Sequence, residues 1–125
     1  MYTYTDISYL QQITKNNFGI IKMTIEKYSI SIPDVVSKLE LALQKKDYNA
    51  LGAEAHKFLS TVSILKIKNM EGLVRQLETD SKERQNLEKI PAIVGEVKKL
   101  SEFVMVELEE LKMDLDKEIN LVKRK

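Results

Sequence analysis

The hydrophobic positions of this chain recur at helical rather than strand spacing along nearly its whole length. Leu51, Ala55, Phe58, Val62 and Leu65 follow one another at intervals of four, three, four and three, which draws one apolar stripe down a helix face. Upstream, Ile7, Leu10 and Ile13 predict a brief helix capped by Thr5 or Asp6 and ending near Thr14, with Asn16 and Asn17 suited to the break that follows. Phe18, Ile21, Ile25 and Tyr28 predict a second segment ending near Ser29. Ser31 then caps a third helix with Pro33 in its first turn, where the missing N–H leaves no bond unmade. That helix carries Val35, Val36, Leu39, Ala42 and Leu43 inward and closes on Lys45 and Lys46, whose charge suits a helix C-terminus. Asp47 caps the helix of the first stripe. Beyond Leu65, the residues Ile67, Met70, Leu73, Val74 and Leu77 form the core face of a helix that fades by Arg84. The polar stretch 82–89 reads as a loop, and Pro91 opens a last helix whose apolar positions keep their spacing from Ile93 to Val122. This last helix overhangs the bundle, and its later part packs on the N-terminal helices.

Short links between successive amphipathic helices imply antiparallel neighbours, so the expected fold is all-α, an up-down-up-down four-helix bundle with additional short N-terminal helices. The expected organisation is one domain over 1–125, with capping helices in 1–30, the four-helix core in 31–110 and an extension of the last helix in 111–125. Composition agrees with that class. Hydrophobic residues make up 43% and charged residues 31%, and only four Gly and two Pro interrupt the chain. The net charge of +1, with basic residues scattered, gives no electrostatic reason to expect nucleic acid. Absence of Cys excludes disulfides and thiolate chemistry. No apolar run approaches the ~20 residues needed to span a bilayer, and MYTYTDISYL lacks the pattern of a signal peptide, so the expected location is the cytoplasm with no membrane partner.

One residue carries the candidate chemistry. His56 is the only histidine in the chain. At about 100° per residue it points roughly 140° from the centre of the stripe, toward solvent. Its neighbours on that face, Gly52, Ala53, Ser60 and Ser63, are all small, which leaves room for a bulky partner to reach the ring. Leu59 lies on the rim, either widening the core stripe or joining a contact patch. Taken alone, a surface histidine is most often without a role, and the surrounding pattern is what raises this one above that reading. A di-iron bundle would need Glu-x-x-His pairs, and Glu54 stands at the wrong offset; a single His without Cys makes no soft-metal site. Ser60, Thr61 and Ser63 lie near the imidazole, but no acid orients it toward a hydroxyl, so a hydrolase is not expected. No Gly-rich phosphate loop is present. The acidic run Glu107, Glu109, Glu110, Asp114, Asp116 and Glu118 reads as a solvated helix face.

The residues Ala55-His56, Phe58, Ser60 and Thr61, Leu65 before a turn, and Met70, Leu73, Leu77 and Glu78 after it, resemble the pattern of the histidine-containing phosphotransfer (HPt) domain family. The chain departs from that pattern in having Leu59 where the family usually has Lys, Ser60 where it has Gly, and Lys66 where many members have Gly at the turn. The resemblance implies a four-helix bundle that carries a phosphoryl group on His56 between the receiver domains of a hybrid sensor kinase and a response regulator. It implies a phosphocarrier without kinase activity of its own, a monomer, holding no cofactor, with Mg²⁺ on the partner receiver. Gly52, Ala53, Leu59, Ser60 and Ser63 would then form the docking patch, Lys57 would stand in for the absent cation, and Glu78 would be a surface residue or one that acts through the histidine. Two other readings remain open at this point: a bundle that docks on a receiver or sensor protein without transferring phosphate, and a structural protein that dimerises through the overhanging last helix.

Overall fold

A computed structural model describes residues 2–123. Its helices are α1 (Ser8–Thr14), α2 (Phe18–Gln44), α3 (Tyr48–Leu65), α4 (Glu71–Glu83) and α5 (Ile90–Lys123), with one turn of 3₁₀-helix at Leu87–Lys89 before the last. α2 to α5 form the antiparallel four-helix bundle, in which α3 packs chiefly on α4 and α2 chiefly on α5. The five stripe residues of α3 are all buried, and they meet Ile21, Ile25, Ile32 and Leu39 of α2, Val74 and Leu77 of α4, and Val97, Val104 and Leu108 of α5 in one core.

Local chemistry accounts for most of the boundaries. The Asn17 side chain accepts from the Ile20 N–H at 3.1 Å and the Asp47 side chain from the Ala50 N–H at 3.1 Å, satisfying donors at the starts of α2 and α3. Asp6 accepts from the Ser8 N–H at 2.8 Å at the start of α1. α3 ends on Lys66 at φ 47°, in the left-handed region, with its N–H returning to the Ser63 carbonyl and the Ile67 N–H to the Val62 carbonyl. Arg84 closes α4 in the same way at φ 54°. Both are positions where Gly would be the unstrained choice. Ile67 and Met70 are buried as core residues but lie in the turn, before α4 begins.

The expected interruption between Ser29 and Ser31 is absent. α2 runs unbroken for 27 residues with Pro33 inside it, so the chain has one short N-terminal helix rather than two, and the capping role given to Ser31 falls away. The reason is phase. Ile21, Ile25, Ile32, Val36 and Leu39 stay on one buried stripe across the proline, and burying that stripe offsets the roughly 3 kcal/mol that an interior proline costs. The lost bond is the one Pro33 would have made to Ser29.

Within the acidic run on α5, Glu109, Glu110, Asp114, Asp116 and Glu118 are exposed as expected of a solvated face, and Glu107 is the exception. Glu107 is 8% exposed, and its carboxylate accepts the backbone N–H groups of Thr3, Tyr4 and Thr5 at 2.8–3.1 Å and the Thr5 hydroxyl at 3.0 Å. Asp114 takes the Tyr2 hydroxyl, and Asp116 pairs with Lys22 of α2. Tyr4 stacks on Phe103, 5.2 Å between ring centres. Residues 2–6 thus form a strap across the open end of the bundle, tied also to the α3–α4 turn by Asp6 N–H to Leu65 O and Lys68 N–H to Tyr4 O. It lies along α5 past the level at which α4 begins, and so covers the part of the last helix that α4 is too short to reach. The later part of α5 therefore packs on the first half of α2 and on this strap.

Candidate functional site

His56 is placed by the helix whose other face is most deeply buried. Ala55 is fully buried beside it and Phe58 is 1% exposed two residues on, so the backbone carrying the imidazole is fixed by core packing. The imidazole itself stands in water, with 69% of its side chain exposed. Its Nδ1 lies 2.7 Å from Oε2 of Glu78, on the neighbouring helix α4. The same oxygen accepts from Nζ of Lys82 at 2.8 Å, one helical turn further along α4. Lys82 chiefly, and His56 as well, hold the Glu78 carboxyl below the usual carboxylate range against the opposing effect of partial burial. Glu78 is therefore ionised at neutral pH and can only accept, so Nδ1 carries the proton. The other ring nitrogen, Nε2, has no hydrogen-bond partner among the described residues and faces solvent.

The candidates named from sequence distribute unevenly about this ring. Ala53, Ser60 and Ser63 are exposed, and Leu59 is half-buried against the core. Ser60 donates its hydroxyl to the Lys57 carbonyl at 3.2 Å, which keeps it folded against its own helix. Ser63 is drawn into a cleft at the α3–α4 turn that Val62, Lys66, Ile67, Asn69, Glu71 and Gly72 also line, and His56 is not part of that cleft. Gly52 is not on the open surface. It is buried at the α3–α4 contact, where an added Cβ would lie 3.2 Å from Cγ of Lys82 and 3.7 Å from Cβ of Ser81. Its smallness serves helix packing and the passage of the Lys82 stem rather than access for a partner. Lys57 pairs with Glu54 of its own helix at 3.6 Å, whereas the polar partners of Glu78 are His56 and Lys82.

Sequence reasoning missed Lys82, which it assigned to a loop. The signal was present: Glu78 and Lys82 are four apart on one helix, the spacing at which a carboxylate and an ammonium meet. Among the described residues no group of three His, Cys, Asp or Glu could hold a metal ion. No helix among them is long and apolar enough to cross a membrane. What the arrangement offers chemically is an imidazole nitrogen held outward on an exposed helix face, with the other ring nitrogen bonded to Glu78.

The chain matches no family model and no curated protein. It is similar in fold to the crystal structure of histidine-containing phosphotransfer protein B (HptB) from Pseudomonas aeruginosa PAO1, with a TM-score of 0.81, 18% sequence identity, and 91% of this chain and 98% of that chain covered. At that identity the likeness establishes an HPt-like helical bundle.

Proposed function

We propose that this chain is a phosphorelay intermediate that takes a phosphoryl group onto Nε2 of His56 from one receiver domain and yields it to another. The observation that carries the reading is the imidazole itself: exposed, single, on the HPt-like bundle, with Nδ1 held by Glu78 and Nε2 turned outward. In the transfer, the Nε2 lone pair forms the N–P bond while the bond from phosphorus to the receiver's aspartyl oxygen breaks, and its electron pair leaves with that carboxylate. The ring gains positive charge as the bond forms. Glu78, already bonded to the Nδ1 proton, is placed to stabilise that charge, and on the return step the same contact keeps the ring facing the departing phosphoryl group. The Mg²⁺ expected on the receiver would neutralise the phosphoryl oxygens. What this chain supplies is position, since transfer between two bound proteins depends on holding nucleophile and phosphorus in line at close range.

A protein of this kind has no kinase activity of its own. Incubation with a phosphorylated receiver and Mg²⁺ should place acid-labile label on the wild-type chain and none on His56→Gln. Equal labelling of the two would refute the proposal. Binding of the receiver without any label would favour instead a docking module that does not transfer phosphate.

A further inference from the structure

A phosphoryl group on Nε2 would bring about two negative charges to the surface beside Glu78, which is itself ionised. Some cation must offset them, and two lysines compete. Lys57 follows His56 in sequence, so it leaves the helix about 100° round from the ring, and it is engaged with Glu54 at 3.6 Å. Lys82 comes from the other helix and already shares the Glu78 oxygen with the imidazole, 2.8 Å from Nζ against 2.7 Å from Nδ1. Its stem reaches that position by crossing α3 over Gly52, where any side chain would crowd its Cγ. The Lys82 side chain is about half exposed and its ammonium holds three donors, so it can turn toward a phosphoryl oxygen while Glu78 keeps the ring.

Resting on the phosphocarrier reading, we propose that Lys82, passed over Gly52 from α4, is the positioning residue that neutralises the phosphoryl group on His56, in place of any cation from α3. In the unphosphorylated protein Glu78 keeps Lys82 at the ring. Phosphorylation gives the ammonium a stronger partner next to the one it has.

Phosphoramidate tests this without any partner protein. Its P–N bond breaks, ammonia leaves with a proton, and the phosphoryl group passes to Nε2, where ³¹P NMR reads the second ionisation of the phosphoryl group as pH is varied. A cation alongside favours the dianion, so the ionisation should come at lower pH in the wild type than in Lys82→Gln, by roughly 0.2–0.7 pH unit, the range that an exposed ion pair produces. Lys82→Arg should restore the wild-type value, and Lys57→Gln should match wild type. Label on His56 with coincident titrations for wild type and Lys82→Gln would overturn the role of Lys82 and leave the phosphocarrier reading standing. A shift in Lys57→Gln alone would transfer the role to Lys57. No resonance dependent on His56 in the folded wild-type protein would bring down both.

Discussion

Replacing Glu107 by Ala should unfasten the N-terminal strap, and the size of the loss follows from which donors are left behind. The Thr3 amide lies at an exposed residue and would turn to water at little cost. Thr5 is 6% exposed, and both its N–H and its hydroxyl end on the Glu107 carboxylate, at 3.1 and 3.0 Å; the Tyr4 N–H is partly buried at 2.8 Å. Bonds to a charged acceptor contribute about 1.5–3 kcal/mol each, and the carboxylate's own desolvation takes back part of the sum. Release of the strap sets the ceiling, because freed amides are solvated at once. The expected loss is therefore about 2–4 kcal/mol, a large share of the ~5–15 kcal/mol of a domain this size. Urea unfolding followed by circular dichroism should show a midpoint lower by roughly 1–2 M, for a slope near ~2 kcal/mol per M. Native-state hydrogen exchange should localise the change to Lys68, whose N–H bonds to the Tyr4 carbonyl, and to Asp6, bonded to Leu65. The decisive step is a double perturbation. Deleting residues 2–5 should cost about as much as Glu107→Ala, and deletion in the Glu107→Ala background should cost almost nothing more. Additive losses, or a loss under about 0.5 kcal/mol for the single substitution, would refute the clamp.

Other expectations concern the ring and its helix. Glu78 has a depressed carboxyl pKa in the folded chain, so as pH falls the unfolded chain takes up this proton first. The stability it contributes is complete above the ordinary carboxyl value of ~4.3 and is lost as pH falls from there through the folded value. The gap in unfolding free energy between wild type and Glu78→Gln should narrow below about pH 4; profiles that stay parallel from pH 7 to pH 3 would contradict the assignment. Lys66→Gly removes a non-glycine residue at φ 47° and should raise stability by about 0.5–1 kcal/mol after the unfolded-state entropy of glycine is allowed for, measured as a higher urea midpoint. Ser60→Lys places a long cation one turn from His56 on the exposed face; it should leave stability within ~0.5 kcal/mol of wild type yet slow labelling by a phosphorylated receiver at least tenfold, and unchanged labelling would remove that face from the docking surface.

The parts of this fold written in periodic positions were legible, and those fixed by pairing across helices were not. The α3 stripe, the cap at Asp47 and the Asp6 bond to the Ser8 N–H depend only on residues near one another in sequence. At Pro33 the local signal, Ser31 followed by proline, favours a helix start, and the buried stripe that keeps its phase from Ile25 to Ile32 and Val36 overrides it. Glu107 was grouped with its acidic neighbours, although it sits three after Val104 and four before Leu111, squarely on the buried stripe. A carboxylate in that register needs donors, and the strap provides them. Around the histidine, distance from the turn would have been the guide. His56 lies eleven residues before Ile67 and Glu78 eleven after; Gly52 and Lys82 stand fifteen to either side. Folding α3 against α4 about that residue brings both pairs face to face, as the structure has them. Read along α3 alone, Gly52 looked like open space and Lys57 like the nearest cation.

A surface cluster of His, Glu and Lys has an ordinary explanation in stability, and that explanation makes definite demands. Exposed pairs of this kind contribute about 0–1 kcal/mol, and their benefit depends on charge on the ring, which neutral pH withholds from most exposed imidazoles. A stabilising cluster would gain from a residue charged at all pH values, yet the position facing Glu78 is held by the single histidine of the chain. Stability alone gives no reason for Nε2 to stand unpartnered beside exposed Ala53 and Ser60, where longer side chains could cover it. Glutamine at position 56 could still donate an amide N–H to Glu78, so His56→Gln should unfold within ~0.5 kcal/mol of wild type on either account. Only the chemical readout separates them: a structural cluster tolerates that substitution in every assay, whereas a phosphocarrier keeps its fold and loses all transfer.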